Sequence, residues 1–438
     1  MDRRQFIKTA ALTGAALPLS SCLGRGEAAA ESPLGCVPSR PDGENSVGLL
    51  GFGCMRWPMT GGPDGEKVID QEAVNAMVDK ALEHGVNYFD SAPVYLRGKS
   101  EEATAIALSR HPRDSYYIAT KLSARDGSRK TCLEMYRHSL EVYGTDHIDY
   151  YLLHSISGVE NFRSRFVGNG IWDFLQEERR LGHIRRLGFS FHGSKEGFDE
   201  LLALHGECRW DFVQIQMNYC DWTHPGKAPT AEYMYRELEK LDIPIIIMEP
   251  LLGGRLAEVP ATVSDELKSR EPGCSIASWA FRFCGSFPRV LTILSGMSCM
   301  EHLDDNLRTF APFKPLSEEE FALLEDVAGR IASFPLVGCT DCKYCMPCPY
   351  GIDIPGIFRF YNRHVSEGTY VVSSEQEHYA RLRRRYLLDY NRSIETIRQA
   401  DHCIGCGKCV PKCPQRIRIP GQLRRIDDYL ESLKQGKI

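Results

Sequence analysis

The sequence of 438 residues predicts an α/β protein, in which a (β/α)8 barrel is followed by a smaller, helix-rich domain with clustered cysteines. Two observations lead to this prediction. Between residue 49 and about residue 310, short β-rich runs alternate with amphipathic helical runs without long gaps. After residue 333, eight of the 17 cysteines fall between Cys339 and Cys413. We therefore predict a barrel domain over residues 47–333 and a cysteine-rich domain over residues 334–438.

The overall composition is that of an ordinary globular protein. Hydrophobic residues make up 43% and charged residues 25% of the chain, which excludes disordered and fibrous proteins. The formal net charge of −5 gives no general electrostatic reason to bind nucleic acid or anionic lipid, so we expect no nucleic-acid partner. The 17 cysteines are too sparse for a disulfide scaffold in a chain of this length.

The first residues have the pattern of an export signal. Arg3 and Arg4 precede Phe6 and Lys8, and small apolar residues follow over positions 9–19. This stretch is shorter than the ~20 residues that cross a bilayer. The pattern resembles a twin-arginine signal, and a poorly ordered basic N-terminus is the alternative.

The residues from Leu19 to Cys22 resemble a lipobox, which would make Cys22 a lipid-bearing first residue of the mature chain. We expect a signal segment over residues 1–22 and a flexible tether over residues 23–46, which are rich in Gly, Ala, Glu, Ser and Pro. The expected location is the periplasm or the outer face of a membrane. A lipid on Cys22 is the only membrane contact that we expect.

Eight predicted strands alternate with amphipathic helices, as in a (β/α)8 barrel. The strands are expected at Leu49–Cys54, Val86–Phe89, Tyr116–Thr120, Ile148–Leu153, Ile184–Ser190, Phe212–Gln216, Ile243–Met248 and Val290–Leu294. The helical patterns between them include Gln71–Glu83, Lys99–Ser109, Arg129–Tyr143, Ile171–Arg180, Thr230–Lys240 and Ile276–Phe283. A doubly wound sheet is the alternative arrangement. In a barrel the chemistry lies at the C-terminal ends of the strands, which makes polar residues there candidates for the site.

Four polar residues follow three consecutive predicted strands. Asp90 and Tyr95 follow the second strand, while the third and fourth strands end at Lys121 and His154. A tyrosine is a weak acid at neutral pH, but a buried ammonium beside it favours the phenolate, and an aspartate can hold that ammonium in place. A histidine can orient a carbonyl group by a hydrogen bond. Each residue alone has an ordinary structural explanation, whereas the set suits proton transfer to a carbonyl oxygen as hydride reaches its carbon.

This set resembles the catalytic tetrad of the aldo/keto reductase family, with an Asp, a Tyr five residues later, a strand-end Lys and a strand-end His. The resemblance extends over residues 49–310 and includes the first-strand sequence Leu50–Arg56. It implies that the chain is an oxidoreductase that acts on a carbonyl compound or its alcohol. It also implies that the catalytic residues are Asp90, Tyr95, Lys121 and His154.

The same resemblance implies a nicotinamide cofactor, NAD(P)(H). In the family, a serine of the fifth strand and a glutamine of the sixth hold the nicotinamide carboxamide, and these roles fall here on Ser190 and Gln214. The loops after the seventh and eighth strands cover the dinucleotide. The residues implied there are Pro250, Leu251, Gly253, Ser295, Gly296, Ser298 and Asn306.

Three positions depart from the family pattern. Phe191 stands where an asparagine usually follows the fifth-strand serine, and Met248 replaces the aromatic residue that stacks on the nicotinamide. Between Met297 and Met300 no basic residue is present to bind an adenosine 2′-phosphate, where Ser298 offers only a neutral hydrogen bond. The sequence therefore does not specify NAD or NADP.

The clustered cysteines form two motifs. They are Cys339, Cys342, Cys345 and Cys348 in the first, and Cys403, Cys406, Cys409 and Cys413 in the second. Three cysteines spaced three residues apart wrap a loop around one object and can each bind a different iron of a cubane cluster. Zinc is the alternative, but it prefers two separated pairs of cysteines. We therefore predict two 4Fe-4S clusters.

The second motif has the spacing of bacterial ferredoxins, in which the cysteine before proline binds the other cluster. By this resemblance Cys339, Cys342, Cys345 and Cys413 would hold one cluster, and Cys403, Cys406, Cys409 and Cys348 the other. Both motifs are followed by a similar phrase, Gly351–Pro355 and Arg416–Pro420, which indicates an internal repeat. Helical patterns at Gln376–Tyr390 and Ile394–Ala400 favour a helix-rich ferredoxin-type domain.

Two functional hypotheses follow. The first is an exported aldo/keto reductase-like enzyme whose clusters relay electrons to or from a redox protein partner. The second is an electron-transfer protein whose barrel has lost turnover and serves docking, which Phe191 and Met248 favour. Residues 380–438 contain 14 Lys and Arg against 6 Asp and Glu. Such a basic face could attract an acidic redox partner, and a solvated helical surface is the alternative.

Overall fold

We analysed a computed structural model of the chain, which describes residues 34–62, 66–123, 127–226 and 229–438. The predicted signal over residues 1–22, with Cys22, lies outside the described residues. The chain forms two compact units. The first contains residues up to Met217, Ala231–Pro250 and Phe281–Leu323, and the second contains Asn218–Thr230, Leu251–Ala280 and Leu324–Ile438.

Eight parallel strands of the first unit close into a barrel, which confirms the predicted (β/α)8 architecture and not the doubly wound sheet. Each barrel strand pairs with the next along the chain, and β12 pairs with β3 to close the ring. The strands of the described residues are β1 Ser39–Asp42, β2 Asn45–Gly48, β3 Leu50–Gly53, β4 Met59–Gly61, β5 Lys67–Ile69, β6 Tyr88–Asp90, β7 Tyr117–Leu122, β8 Ile148–Ile156, β9 Ile184–Phe191, β10 Val213–Gln216, β11 Ile245–Met248 and β12 Val290–Ser295.

The helices follow the predicted patterns closely in the barrel region. They are α1 Gln71–Glu83, α2 Ser100–Leu108, α3 Arg129–Tyr143, α4 Val159–Phe162, α5 Ile171–Leu181, α6 Lys195–Ala203, α7 His205–Cys208, α8 Tyr219–Thr223, α9 Ala231–Lys240, α10 Ala261–Arg270, α11 Ile276–Gly285, α12 Met300–Phe310, α13 Glu318–Ser333, α14 Ile354–Ser366, α15 Tyr379–Ser393 and α16 Ile419–Lys434. Helix α3 begins where the Ser128 side chain accepts from the Thr131 backbone and ends at the left-handed Gly144.

The predicted tether is wrong for the residues that form the first hairpin. Strands β1 and β2 pair antiparallel, with Ser39 opposite Gly48. The Arg40 guanidinium donates to the backbone carbonyls of Phe287 and Gly285, both at 2.5 Å. Asp42 forms an ion pair with Arg186 at 3.0 Å. These polar contacts hold the hairpin, because each satisfies a group that the folded chain would otherwise leave unpaired.

One apolar cluster of the first unit is formed by buried side chains of the barrel strands. Its aromatic members pack edge to face, with ring centroids 4.9 Å apart for Tyr88 and Tyr150 and 5.3 Å apart for Tyr150 and Phe212. Ala119, Leu152 and Ile246 belong to the same buried cluster. The interior is therefore a packed core, and the strand ends are left to position polar groups.

The second unit contains the two cysteine motifs and three packed helices, α14, α15 and α16. Its core joins residues from all three helices, including Phe360, Tyr386 and Ile426. Both motifs lead into a helix that starts with Ile-Pro-Gly, at residue 354 and at residue 419, which agrees with the predicted repeat. The predicted helix over Ile394–Ala400 is wrong: the backbone is extended at Ile394, and two short 3-10 turns, Thr396–Arg398 and Ala400–His402, follow.

Among the described residues, no helix is both long enough and apolar enough to span a bilayer.

Candidate active site and cysteine clusters

The structure brings the four predicted tetrad residues together at the C-terminal ends of three neighbouring strands. Asp90 ends β6, and Tyr95 lies in the turn that follows it. Lys121 and His154 lie at the ends of β7 and β8. All four side chains are buried. The sequence predicted that these four residues lie close together, and the structure agrees. Their catalytic roles remain predictions.

Lys121 and Asp90 form a buried ion pair. The Lys121 ammonium donates to Asp90 Oδ1 at 2.5 Å and to the Ser91 carbonyl at 2.7 Å. Only 1% of the lysine is exposed. Burial raises the pKa of the Asp90 carboxyl, while the Lys121 ammonium opposes that change. Loss of either partner would leave a buried charge unpaired, at a cost of about 3–5 kcal/mol.

Tyr95 lies beside this pair. The Lys121 ammonium is 4.7 Å from the centre of the Tyr95 ring, and the His154 ring meets it edge-on with centroids 5.9 Å apart. The two residues after Tyr95, Leu96 and Arg97, have φ angles of +48° and +57°. Left-handed backbone of this kind costs about 1 kcal/mol or more at a residue with a side chain. The turn therefore stores strain next to the phenol.

His154 has a partner that the sequence analysis missed. Ser123 Oγ lies 2.5 Å from His154 Nδ1, and both residues are buried. The Arg165 guanidinium also donates to the His154 carbonyl at 2.8 Å. The Ser123 hydroxyl therefore holds the Nδ1 side of the imidazole and fixes the orientation of the ring. Its position two residues beyond the strand-end lysine is the signal that could have identified Ser123.

We predict that Ser123→Ala lowers carbonyl turnover by about ten-fold, the effect of one lost hydrogen bond of roughly 1.4 kcal/mol. The change should fall on kcat, with the affinity for the dinucleotide unchanged, because the serine acts through the histidine. Steady-state kinetics and a dinucleotide titration measure both quantities. Ser123→Thr keeps the hydroxyl and should restore turnover; an equal loss in both variants would contradict the positioning role.

A second buried carboxyl supports the strand that bears Lys121. Glu101 Oε1 accepts from Thr120 Oγ1 at 2.6 Å and from Ser139 Oγ at 2.9 Å. Burial raises the pKa of Glu101, against the effect of these two hydroxyl donors. The sequence analysis missed Glu101 because its helix position gives no sign that it points inward.

Ser190 and Gln214, implied as carboxamide ligands, are direct neighbours across β9 and β10. Ser190 Oγ accepts from the Ser155 backbone at 2.8 Å. Gln214 is buried, and its Oε1 has no hydrogen-bond partner among the described residues. A buried amide oxygen without a donor is unfavourable, so these two residues fit a bound carboxamide, whose NH2 would supply one.

The dinucleotide-binding residues that the resemblance implies after the eighth strand all lie in one short segment of the first unit. Asn306 Nδ2 donates to Ser295 Oγ at 2.8 Å, and both are buried. Ser298 is exposed, with its backbone and hydroxyl each 3.3 Å from His302 Nδ1. A side chain on Gly296 would come within 3.0 Å of the Arg56 side chain. His302 and Arg56 are thus basic groups near this loop that the sequence analysis missed.

The seventh-strand loop is divided between the two units: Pro250 is buried in the first, and Leu251 and Gly253 belong to the second. Gly253 has a φ of +69°, and a Cβ there would lie 2.4 Å from the Thr340 carbonyl oxygen. Thr340 stands between the first two cysteines of the first motif. Within the second unit, Gly253 therefore packs directly on the first cysteine motif, and only glycine allows the contact.

The eight thiols fall into two groups that mix the motifs. We call Cys339, Cys342, Cys345 and Cys413 the inner quartet, and Cys348, Cys403, Cys406 and Cys409 the outer quartet. In the inner quartet, burial raises the pKa of the Cys345 thiol to about 12, and the other three thiols act in the same direction. In the outer quartet, the pKa of Cys409 is raised by burial and by its three partners, Cys348 among them. This grouping agrees with the one that the ferredoxin resemblance implies.

The backbone around the inner quartet is typical of a loop that wraps an anionic group. The Asp341 backbone N–H donates to Cys339 Sγ at 3.5 Å, and Asp341 and Lys343 both have positive φ angles. Such N–H groups stabilise thiolates. In the part of the chain that the structure describes, no three Cys, His, Asp or Glu side chains are arranged to hold one metal ion.

Comparison with known proteins assigns both regions. Residues 49–328 match the family model described as "Aldo/keto reductase family", and residues 338–418 match the model described as "4Fe-4S dicluster domain".

Individual relatives match the barrel region. The chain is 24% identical to the uncharacterized oxidoreductase YqkF of Bacillus subtilis, over 64% of this chain and 92% of the relative. It is 32% identical to an aldo-keto reductase of Mycolicibacterium vanbaalenii, over 55% and 78% of the two chains. Among solved structures, an aldo/keto reductase from Klebsiella pneumoniae in complex with NADP and acetate superposes with a TM-score of 0.53 at 21% identity, over 67% of this chain and 95% of that one.

Proposed function

The chain belongs to the aldo/keto reductase family and is an iron-sulfur oxidoreductase, and from this premise we propose that it reduces a carbonyl compound, or oxidises the alcohol, in the barrel site. The observation that supports this most directly is the buried Lys121–Asp90 pair beside the Tyr95 ring. Taking a lysine and an aspartate out of water costs free energy, even when the two are paired. A buried ion pair at the strand ends of a barrel is therefore a candidate for a functional site.

In this proposal each tetrad residue has one task. Tyr95 gives its phenolic proton to the carbonyl oxygen, or takes it back in the reverse reaction. The Lys121 ammonium stabilises the phenolate, because a nearby positive charge favours the charged form of an acid. Asp90 keeps the lysine in place, and His154 orients the carbonyl by a hydrogen bond.

The dinucleotide site that we propose uses the residues implied by the resemblance. Ser190 and Gln214 hold the carboxamide, and the first-unit residues Pro250 and those of the eighth-strand loop from Ser295 to Asn306 bind the rest of the molecule. When bound, a nicotinamide supplies or accepts the hydride. The unpaired Gln214 oxygen supports this assignment, because a carboxamide NH2 would satisfy it.

The experiment that tests this site is a titration of the iron-loaded protein with NADH and NADPH, followed by tryptophan fluorescence. We expect binding of at least one of them with a dissociation constant on the order of micromolar. Gln214→Leu should weaken that binding by about ten-fold through the lost hydrogen bond. Binding of neither dinucleotide would rule out the nicotinamide form of the proposal.

We further propose that the two quartets hold two 4Fe-4S clusters that exchange electrons with a redox protein partner. A hydride corresponds to two electrons, whereas a cluster passes one, so two clusters match one turnover. The mixed grouping of the thiols supports this, because it is the ligand pattern of a two-cluster ferredoxin domain.

A second candidate function is electron transfer by a chain whose barrel no longer turns over substrate. The Phe191 side chain, which replaces the usual asparagine, is buried and packs on Phe198 with centroids 4.9 Å apart. It offers no hydrogen bond to a carboxamide. Carbonyl turnover with a bound dinucleotide would exclude this alternative.

We also propose that the protein is exported already folded. The twin-arginine pattern at Arg3 and Arg4 supports this, since clusters are assembled before export and an unfolded chain could not keep them. The periplasm or the outer face of a membrane, with a lipid on Cys22, is the proposed location.

A further inference from the structure

The two quartets differ in their surroundings. All four cysteines of the inner quartet are only partly exposed, and Cys339, Cys345 and Cys413 pack against the apolar core of the second unit. Thr340, which follows Cys339, is buried and packs against Gly253. In the outer quartet, Cys406 is exposed. A group held by the outer quartet therefore lies closer to solvent than one held by the inner quartet.

Exposed apolar side chains lie close in sequence to the cysteines of the outer quartet. Ile404 lies between Cys403 and Cys406 and is 65% exposed, and Val410 follows Cys409 and is 39% exposed. Tyr350, two residues after Cys348, is 45% exposed, and Ile397 is 73% exposed. The segments bearing these last two residues adjoin, because the Asp353 backbone donates to the Arg398 carbonyl at 3.1 Å. We call these four residues the port surface.

The charge near the port surface is positive. Residues 392–418 contain six Lys and Arg but only two acids, Glu395 and Asp401. Lys408 and Arg418 are exposed. An apolar centre with a basic rim fits the complementary surface of an acidic protein, and opposite charge speeds such an encounter by ten-fold or more.

We infer that the port surface is the docking site of a small acidic one-electron carrier protein, and that electrons reach the chain through the outer quartet before the inner one. This inference rests on the proposed function. At each encounter the reduced carrier would give one electron to the group that the outer quartet holds. Two encounters would supply two electrons, which with one proton equal the hydride that a bound nicotinamide delivers to the carbonyl carbon.

The test uses the iron-loaded full chain and photoreduced flavodoxin, an acidic one-electron carrier, as the probe. Stopped-flow absorbance measures the rate at which the iron-sulfur colour bleaches. Ile404→Glu should slow reduction by flavodoxin about ten-fold, because it removes an apolar contact and adds a repulsive charge. Reduction by dithionite, which needs no docking, should stay within two-fold of the parent. Added salt should slow the flavodoxin reaction of the parent.

Val372→Glu is the matched control, since Val372 is 70% exposed in the same unit but outside the port surface. It should leave both rates unchanged. If Ile404→Glu does not load iron, Ile397→Glu replaces it, because Ile397 lies outside the cysteine motifs. Equal rates for port and control variants, or no reduction of the parent by flavodoxin, would overturn the inference. Neither result involves dinucleotide binding, so the proposed reductase activity is tested separately.

Discussion

Tyr95→Phe should lower carbonyl turnover by about 10²- to 10⁴-fold, the usual contribution of a positioned general acid. The phenylalanine keeps the ring beside the Lys121 ammonium, 4.7 Å from the ring centre in the parent, and removes only the proton donor. We therefore expect the loss in kcat, with unchanged iron content and dinucleotide affinity. Reduction of 4-nitrobenzaldehyde by NADPH or NADH, alongside anaerobic optical spectra, measures all three.

Tyr88→Phe is the matched control for this change. Tyr88 is buried in strand β6, seven residues before Tyr95, and its hydroxyl has no hydrogen-bond partner among the described residues. Removing that hydroxyl should leave turnover intact. Loss of the iron-sulfur spectrum in Tyr95→Phe would instead indicate a structural role, and full activity would mean that another group is the acid.

The cysteine variants should show that each cluster takes ligands from both motifs. Cys339→Ser with Cys413→Ser removes two ligands of the inner quartet, so we expect loss of one cluster and retention of the other. Cys339→Ser with Cys348→Ser removes one ligand from each quartet, so we expect both clusters to be lost or impaired. Anaerobic iron quantification and EPR spectra distinguish these outcomes.

The opposite result has a clear meaning. If each motif held its own cluster, Cys339 and Cys348 would share one, and Cys413 would serve the other. The pair Cys339 and Cys348 would then cost one cluster, and the pair Cys339 and Cys413 would affect both. The grouping of the thiols in the structure favours the first result, because Cys413 raises the pKa of Cys345 while Cys348 raises that of Cys409.

Much of the barrel could be predicted because its signals are local. The helix Gln71–Glu83 has the predicted bounds, since Asp70 caps its first turn and the apolar positions repeat at helical spacing. The sequence predicts a tether over residues 23–46, which include most of the first hairpin, because the contacts that support the hairpin are distant along the chain. Arg40 bonds to carbonyl groups about 250 residues away along the chain, and no local pattern reveals such contacts.

The site divides in the same way. The tetrad could be predicted because strand ends of a parallel barrel meet at one rim, so Lys121 and His154 had to be neighbours. Glu101 could not, because it acts through the residues that it contacts and belongs to no recognisable motif. Ser123 also lies outside the motif, and only its position two residues after Lys121 marks it. The pairing of Cys348 with the second motif depended on a family resemblance, since spacing alone does not say which cluster a fourth cysteine joins.

The left-handed pair Leu96 and Arg97 has a consequence for anyone who engineers this protein for heat resistance. Glycine at either position is the usual remedy for such a backbone and would recover about 1 kcal/mol of folding free energy. The same change would make the backbone next to Tyr95 more mobile, and a proton donor that is held less precisely is a poorer catalyst. A thermostability screen without an activity assay would thus select, at this turn, against the function it aims to preserve.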